Sequence, residues 1–473
     1  MENTLTNKQK ALQINLDPTI YGTFAEIGAG QEVVRHFFRS GGASGTIAKA
    51  MSAYDRDFSN AIYGKENDGR FVTENRLKKM LNHEFGLINQ RLDRNDHPEK
   101  RFFTFANTIA TINFTKTFKG HGWVGIRFQL QPEAEPNDVL IHIRLHENSA
   151  GLQQESVGIL GVNLIHACFN HYHDTEQLLL SLYDNLSRDQ IEIDMVRVNG
   201  PSFKGVDNRL LSLLLVKHCM TDAVIFGPDG NNLLPAQLLY KKNILALRGS
   251  FRPVTKVNID MIKNGYQKFI EQKKVNKENL QVLFEITLSN LISEGKIDEQ
   301  DFLDRANLLC SIGQTVLISN YQEYYKLVEY FSRFTKARMG LIIGVNNLLE
   351  IFDESYYRNL NGGILEAFGI LFSKDLKIFL YPYLKEEEII NSKNLKVHPR
   401  LKALYNYLTF NNRIIDINSY NPKYLEIFST EVLKMLKKGE GDWEKMVPTY
   451  VDNIIKEKKL FGFNSEKISK ELD

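Results

Sequence analysis

The chain has 473 residues, 43% of them hydrophobic and 25% charged, and its 59 Lys and Arg residues nearly balance 57 Asp and Glu, for a formal net charge of +2. This composition is ordinary for a folded protein, and the length favours two or three domains. The charge balance lacks the basic surplus typical of proteins that coat nucleic acid, and the three dispersed cysteines do not provide a disulfide framework or a CxxC zinc site.

The polar N-terminus lacks the apolar run of a secretory signal, and no apolar stretch approaches the ~20 residues of a membrane helix. We therefore expect a cytoplasmic protein with no membrane partner. The charge balance also argues against nucleic acid as a partner.

The first predicted region, residues 1–150, combines helices with one strand pair. From Tyr21 to about Leu92 the pattern is helical, interrupted by two glycine clusters. Trp123–Leu130 and Val139–Leu145 alternate in period two, which is typical of half-buried strands. The short loop between them predicts an antiparallel pair.

Two further units are predicted over residues 151–275 and 276–473, separated by a charged joint. Their strands alternate with helices, which favours a largely parallel sheet covered by helices. The predicted strands are Ile191–Val198, Asp222–Phe226, Ile244–Leu247, Val282–Ile286, Val316–Ile318, Leu341–Ile343 and Leu376–Leu380. The fold class is thus α/β, a largely parallel sheet preceded by a smaller α+β region with an antiparallel strand pair.

The first glycine cluster is Glu26-Ile-Gly28-Ala-Gly30. A carboxylate before a G-x-G turn occurs in dinucleotide and S-adenosylmethionine sites, where glycine allows close approach to the ligand. The third glycine is missing and the pattern shows no clear strand before the cluster, so a turn that leads into a helix is the alternative.

The second glycine cluster is predicted to open a helix that continues to Tyr63. Amides at a helix start, with hydroxyls and a lysine one turn on, can hold a phosphate. The residues assigned to this anion site are Gly41, Gly42, Ser44, Gly45, Thr46 and Lys49. The alternative is a flexible loop in which Ser44 or Thr46 caps the helix.

The third candidate site comprises the loops that follow the predicted strands 191–198, 222–226 and 244–247. If these strands are parallel neighbours, their loops share the carboxyl edge of one sheet, where open α/β sheets bind ligands. The loops offer phosphate-binding groups and acids for acid–base or metal chemistry. The cations are Lys204, Arg209, Arg248 and Arg252, and the candidate catalytic acids are Asp207 and Asp229. The alternative is ordinary turn chemistry, with Asp207 as a helix cap.

The histidines provide no metal-ligand motif. His142 and His146 share a strand face, but four residues of strand separate their backbones by roughly 13 Å, too far for one metal ion. No metal ligands are therefore assigned; the cofactor is left open, with Mg²⁺ allowed beside a phosphate.

Several sequence segments resemble segments of a bacterial protein family of about this length, and the likeness covers nearly the whole chain. The segments are Phe24–Val33, Gly41–Thr46, Val206–Arg209 and Arg248–Val254. Members of that family carry the inconsistent labels nicotinate-nucleotide adenylyltransferase and TonB-dependent receptor, and the family brings no catalytic residues to carry over.

Neither label is supported by the residues. A TonB-dependent receptor needs export and many lipid-facing strands. The adenylyltransferase class carries an H-x-G-H phosphate motif, and the nearest phrase here, Gly120–Trp123, has one histidine.

The functional expectation is an enzyme that binds a nucleotide or other phosphorylated small molecule, such as a nucleotidyl- or group-transferase or a hydrolase. Its partner would be the small phosphorylated ligand. The alternative is a non-catalytic binding or scaffold protein, which the absence of a specific catalytic motif favours.

Overall fold

The computed structural model describes residues 4–66, 69–293, 296–439 and 442–463. The chain divides into two compact units, Met1–Thr221 and Asp222–Asp473, and each is built on its own large sheet. None of the helices that the structure describes is both long enough and apolar enough to cross a membrane.

The first unit is a mixed sheet. Within the described residues its strand order is β2-β1-β3-β4-β5-β6. The strands are β1 (Ile20–Gly28), β2 (Ile47–Ala53), β3 (Arg101–Ala110), β4 (His121–Phe128), β5 (Asn137–Leu145) and β6 (Ile191–Asn199). Strand β1 runs parallel to β2 and β3, and the remaining neighbours are antiparallel. The predicted antiparallel pair is confirmed as β4 and β5.

Helices cover both faces of this sheet. They are α1 (Asn7–Leu16), α2 (Glu32–Ser40), α3 (Arg56–Tyr63), α4 (Glu74–Arg91), α5 (Ala150–Asn170), α6 (Thr175–Ser181) and α7 (Asn208–Lys217). Side chains of α1, α2, α5, α6 and α7 form one core with one sheet face. Helix α4 lies on the other face, where Leu77 and Leu81 pack over Gly125.

The helical pattern expected from Tyr21 to Leu92 is wrong over β1 and β2. Strand β1 is buried almost throughout, so its sequence lacks the alternation that marks a half-exposed strand. Strand β2 is Ile-Ala-Lys-Ala-Met-Ser-Ala, rich in good helix formers. Parallel pairing with β1 overrides that local preference.

The second unit is a largely parallel sheet. Over the described residues its order is β18-β15-β14-β9-β10-β13-β7-β8, with two separate short hairpins, β11–β12 and β16–β17. The strands are β7 (Ala223–Phe226), β8 (Asn232–Leu233), β9 (Asn243–Arg248), β10 (Leu280–Thr287), β11 (Ile292–Ser293), β12 (Lys296–Ile297), β13 (Val316–Ser319), β14 (Met339–Gly344), β15 (Leu376–Tyr381), β16 (Tyr383–Lys385), β17 (Glu388–Ile390) and β18 (Ile414–Asp416). The six strands from β13 to β18 in this order are parallel, and β7 is antiparallel to β13.

Helices again lie on both sheet faces. They are α8 (Pro235–Leu238), α9 (Lys256–Ile270), α10 (Glu299–Ser311), α11 (Tyr324–Ser332), α12 (Val345–Ile351), α13 (Gly363–Phe372), α14 (Lys402–Phe410), α15 (Ser429–Lys438), α16 (Trp443–Met446) and α17 (Thr449–Lys458). Phe269 of α9 packs on Phe379, and Phe302 of α10 packs on Phe226. Helices α11 to α14 share the opposite core with Ile244. The predicted α/β class is confirmed.

The parallel strands of this unit follow the chain order 3-2-1-4-5-6, counting β9 as the first. From β9 the chain continues to its neighbour β10 on one side, whereas from β14 it continues to β15 on the other. The crevice between the carboxyl ends of β9 and β14 is therefore the topological switch point, where doubly wound sheets bind ligands.

The two-unit division differs from the boundaries expected at residues 150 and 275. Residue 150 begins α5, which packs on the first sheet, and β6 then pairs with β5. Residue 275 lies between β9 and β10, which are paired neighbours. In both places the chain returns to a sheet that it has already begun, and local composition does not reveal such a return.

Candidate functional site

The three loops expected at one sheet edge lie on different sheets. Strand β6 pairs with β5 in the first unit, whereas β7 and β9 belong to the second. Because β7 runs antiparallel to β13, its carboxyl end lies at the opposite edge from that of β9. The condition under which these loops would share one sheet edge, that the three strands are parallel neighbours, is therefore not met.

The loop after β6 acts locally. Asp207 caps α7 by accepting a hydrogen bond from the backbone amide of Arg209 at 2.8 Å, and its carboxylate pairs with Arg209 Nη2 at 2.6 Å. Burial alone would raise the pKa of Asp207, but the hydrogen bonds from Arg209 outweigh it and lower that pKa. Lys204 is exposed beside them.

Asp229 stabilises a turn. Its carboxylate accepts hydrogen bonds from the backbone amide of Asn231 at 3.0 Å and from Asn231 Nδ2 at 2.8 Å, and these bonds lower its pKa. The side chain is exposed. Both candidate acids thus have contacts of the kind expected from turn and cap chemistry.

The Gly41–Lys49 segment leads into an edge strand. After α2, Gly41 and Gly42 take positive φ values of 82° and 73°, and a 3-10 turn then leads into β2. Thr46 is buried and donates a hydrogen bond to the carbonyl of Asn15 at 3.1 Å, and Lys49 forms an ion pair with buried Glu84. Ser44 and Gly45 are exposed. The expected helix opening is wrong: the next helix, α3, begins at Arg56.

The first glycine cluster occupies a true strand-to-helix turn. Gly28 ends β1 and α2 begins at Glu32, so a strand that the sequence pattern did not show does precede the cluster. Beside this turn lies a cavity of about 330 Å³ at the carboxyl ends of β1 and β3. Its walls include Gly28, Tyr54, Asp55, Arg56, Ser59, Phe71 and Thr108.

Glu26 lies beneath the same turn, near the start of α2. It is 2% exposed, and its Oε1 atom has no hydrogen-bond partner within the described residues. Burial raises the pKa of Glu26 to about 8; a hydrogen bond from the backbone amide of Val34 opposes that rise. Glu26 is therefore largely protonated at neutral pH.

Substituting Glu26 tests this protonation. Native Glu26 keeps its proton up to a pKa of about 8, whereas in the unfolded chain it releases the proton near the ordinary value of 4.5. Across that window the native state binds more protons, so its contribution to stability falls by about 1.4 kcal/mol per pH unit as pH rises. We expect the stability of Glu26→Gln relative to wild type to rise by that slope, measured by urea unfolding.

The matched control is Glu155→Gln, which removes an exposed carboxylate of α5 in the same unit. Its stability relative to wild type should change little across the same window. A flat difference between wild type and Glu26→Gln would contradict the assignment of a buried, protonated Glu26.

The second cavity lies at the switch point of the second unit and has a volume of about 350 Å³. It is lined by residues at or after the carboxyl ends of β9, β10, β13 and β14. The polar lining residues are Arg248, Ser250, Thr287, Ser289, Asn290, Gln322, Glu323, Tyr324, Asn347, Glu350, Tyr356 and Tyr357. Its volume lies within the ~300–1,000 Å³ typical of small-molecule sites.

Arg248 is anchored at the base of this cavity. Its Nη2 donates to Glu285 Oε1 and to the carbonyl of Tyr321, both at 2.8 Å, and its Nε donates to the second oxygen of Glu285. Nη1 donates to the carbonyl of Gln322 at 2.8 Å, and the ring of Tyr324 stacks 4.1 Å from the guanidinium carbon. The guanidinium therefore fixes the cavity wall through a buried carboxylate.

Arg252 lies outside the cavity lining and forms an ion pair with Asp301. Arg305 pairs with the same carboxylate and donates to the carbonyl of Ser250 at 3.1 Å. Ion pairs thus hold the loop from Arg248 to Arg252 at both ends. The two arginines position the loop through the neighbouring carboxylates of Glu285 and Asp301.

The hydroxyl of Tyr324 is a buried polar group at the cavity. Tyr324 is 5% exposed, and its oxygen has no hydrogen-bond partner among the residues described. A buried hydroxyl left unpaired costs free energy, so a ligand that pairs with it gains affinity. Two carboxylates, Glu323 and Glu350, line the same space.

Of the site residues assigned from the sequence, only Arg248 lines this cavity. The other polar groups follow predicted strands at 282–286, 316–318 and 341–343, so their position after a strand was a usable signal. The order of the strands, which brings these loops together, was not available. Among the described residues no three His, Cys, Asp or Glu side chains are grouped as a metal site.

No protein-family model and no curated protein sequence matches the chain. Solved structures similar to part of it include a competence-damaged protein (CinA) superfamily protein from Enterobacter cloacae, at 11% identity and a TM-score of 0.26, covering 36% of this chain and 96% of that one. A competence/damage inducible protein, CihA, from Agrobacterium tumefaciens is 14% identical, with a TM-score of 0.24, covering 38% and 99%. A CinA superfamily protein from Escherichia coli is 12% identical, with a TM-score of 0.25, covering 38% and 93%. Likeness at this level transfers no function to the chain.

Proposed function

We propose that the second unit binds a nucleotide or another phosphorylated small molecule in the switch-point cavity. The observation that carries this proposal is the position of a 350 Å³ cavity at the carboxyl edge between β9 and β14. Open α/β sheets bind ligands in this crevice because the loops on either side diverge there.

The residues that line the cavity can bind such a ligand although Arg248 and Arg252 are both engaged in ion pairs. Helix α11 begins at Tyr324 without a side-chain cap, so amides of its first turn can donate hydrogen bonds to a phosphate. The hydroxyls of Ser250 and Thr287 lie at the same cavity. The carboxylates of Glu323 and Glu350 match ribose hydroxyls, which donate hydrogen bonds.

If the occupant reacts, the same two carboxylates are the groups that could carry the chemistry. Carboxylates exchange protons and, together with a substrate phosphate, hold Mg²⁺. A group-transfer reaction on a phosphorylated substrate is the activity that this set supports.

The competing proposal is a non-catalytic binding protein. It is favoured by the local roles of Asp207 and Asp229, which cap a helix and a turn.

A thermal-shift screen with nucleotides and sugar phosphates, each with and without Mg²⁺, tests the proposal. A ligand present at 100 times its dissociation constant stabilises the native state by about 2.7 kcal/mol, so a true ligand gives a clear rise in midpoint. No rise with any phosphorylated ligand at millimolar concentration would overturn it.

Tyr324→Phe should weaken ligand binding by roughly two- to thirteenfold, because one hydrogen bond contributes about 0.5–1.5 kcal/mol. The variant keeps the ring on Arg248 and removes only the unpaired hydroxyl, so its unfolding free energy should not fall. Calorimetric titration with the best ligand from the screen measures the affinity.

Tyr405→Phe is the matched control, because its hydroxyl donates to the carbonyl of Ser392 at 2.7 Å and it does not line the cavity. It should lose stability and keep affinity. If Tyr324→Phe behaves like Tyr405→Phe, the hydroxyl has no role in binding.

A further inference from the structure

Three titratable side chains form a continuous chain on one face of the first sheet. Asp194 Oδ1 lies 2.5 Å from His142 Nδ1, and His142 Nε2 lies 3.3 Å from His121 Nδ1. Asp194 and His142 are 6% and 3% exposed, whereas His121 is only partly buried. The chain thus leads from a buried carboxylate towards the surface.

A β-bulge places the carboxylate. The register of β5 and β6 shifts between His142, which pairs with Met195, and Ile143, which pairs with Ile193. Ile193 and Val196 both belong to the core on the opposite face, although two residues separate them. The extra residue therefore lets Asp194 share the face of His142, and bulges commonly redirect a side chain next to a functional site.

The hydrogen bonds determine which ring nitrogens carry protons. An ionised carboxylate only accepts, so Nδ1 of His142 must donate to Asp194. Nε2 of a neutral His142 is then an acceptor, and Nδ1 of His121 donates to it. Nε2 of His121 is left with a free lone pair, and it has no hydrogen-bond partner within the described part of the chain.

The surroundings keep His121 neutral. Burial comes first, and repulsion from the cations Arg144 and Arg70, and from His142 when it is protonated, adds to it, lowering the pKa of His121 to about 4 against the opposing charge of Asp194. Arg144 is the register partner of His121 across β4 and β5 and lies 3.9 Å from Glu192. The rings of Phe118 and Trp123 pack on His121 and His142.

We propose that Asp194, His142 and His121 form a proton relay in which His121 is the general base. Its ligand would be a small molecule with an acidic O–H or N–H. A proton leaves the ligand for Nε2 of His121, and the proton on Nδ1 of His121 passes to Nε2 of His142. The ligand becomes an anion, His121 ends neutral as its other tautomer, and His142 becomes an imidazolium paired with the Asp194 carboxylate.

His121 does not line the first cavity, but it pairs with the end of the strand that does. Thr108 and Ile109 line that cavity, and the next residue of β3, Ala110, is the register partner of His121. His142 and Asp194 are positioning residues in this scheme, and only His121 would touch the ligand. The inference concerns the first unit and does not depend on the cavity of the second.

Nitrogen-15 NMR of the imidazole rings tests the relay in the full chain. At neutral pH both His121 and His142 should carry their proton on Nδ1, the less common tautomer of a free imidazole. The assignment comes from His121→Gln and His142→Gln spectra. His121 protonated on Nε2 in the wild type would overturn the proposal.

Acidification gives a second signature. The first proton taken up should make His142 doubly protonated while His121 moves its own proton to Nε2. A His121 ring that becomes doubly protonated first would overturn the relay, because charge would then stay at the surface.

Asp194→Asn should abolish the tautomer preference of His142 and, through it, that of His121. Glu192→Gln is the matched control, since it removes another buried carboxylate two residues earlier on β6. It should leave both tautomers unchanged. Equal changes in both variants would assign the effect to general loosening of β6 and reject the relay.

Discussion

Replacing Arg248 with alanine is expected to lower the unfolding free energy of the second unit by about 3–5 kcal/mol, because it leaves a buried carboxylate without its cationic partner. Glu285 is fully buried, and in the variant the hydroxyl of Ser319, 2.5 Å away, would be the one remaining side-chain donor to it among the described residues. Two backbone carbonyls, those of Tyr321 and Gln322, would also lose their donor.

Equilibrium urea unfolding of the full chain measures this loss. Arg248→Lys should recover only part of the stability, since one ammonium cannot reproduce the two parallel hydrogen bonds to Glu285. The double variant Arg248→Met, Glu285→Gln should be clearly more stable than Arg248→Ala, because no unpaired charge remains. A loss below about 1 kcal/mol in Arg248→Ala would show that the pair is solvated and behaves like a surface ion pair.

Gly28→Ala is expected to destabilise the first unit by roughly 2–5 kcal/mol, combining a left-handed backbone with overpacking. Gly28 has φ of +79°, and a Cβ there would lie 2.2 Å from the backbone oxygen of Ile109. A backbone atom in a sheet cannot move aside, so β1 and β3 would have to separate.

Gly45→Ala provides the matched control, since a Cβ there meets nothing within 4 Å. It should change stability by less than about 1 kcal/mol and is more apt to raise it, through reduced freedom of the unfolded chain. Similar losses in both variants, measured by thermal unfolding, would contradict a specific close approach at Gly28.

Gly28 also shows why a motif can be recognised in a sequence while the strand that precedes it is missed. The sequence singled out Glu26-Ile-Gly28-Ala-Gly30 but predicted no strand before it, because β1 is buried on both faces and does not alternate. By contrast, β4 and β5 each alternate, and their pairing followed from pattern and loop length alone. Strands β4 and β5 are nearly as buried as β1, but in β5 the polar residues Asp138, His142 and Arg144 alternate with apolar ones. Period-two reasoning detects that alternation of residue type.

The candidate site was predictable only in part for a related reason. Each apolar strand from Ile191 to Leu380 was predicted close to its observed position, and polar residues after strands are visible in the sequence. Which loops meet depends on strand order, and the order arises from long-range packing. For the same reason, the sequence did not reveal that the loops of Asp207, Asp229 and Arg248 do not share one sheet edge, although each of these residues follows a predicted strand.

The bulge at Asp194 makes the length of β6 informative. If residue 194 were absent, Ile191, Ile193, Val196 and Val198 would alternate without interruption along one face. A chain one residue shorter here could therefore keep the same core and the same neighbours while losing the carboxylate that faces His142. Among sequences related to this one, a single-residue gap in β6 would identify chains that keep the fold but lack the carboxylate needed for the proposed proton relay.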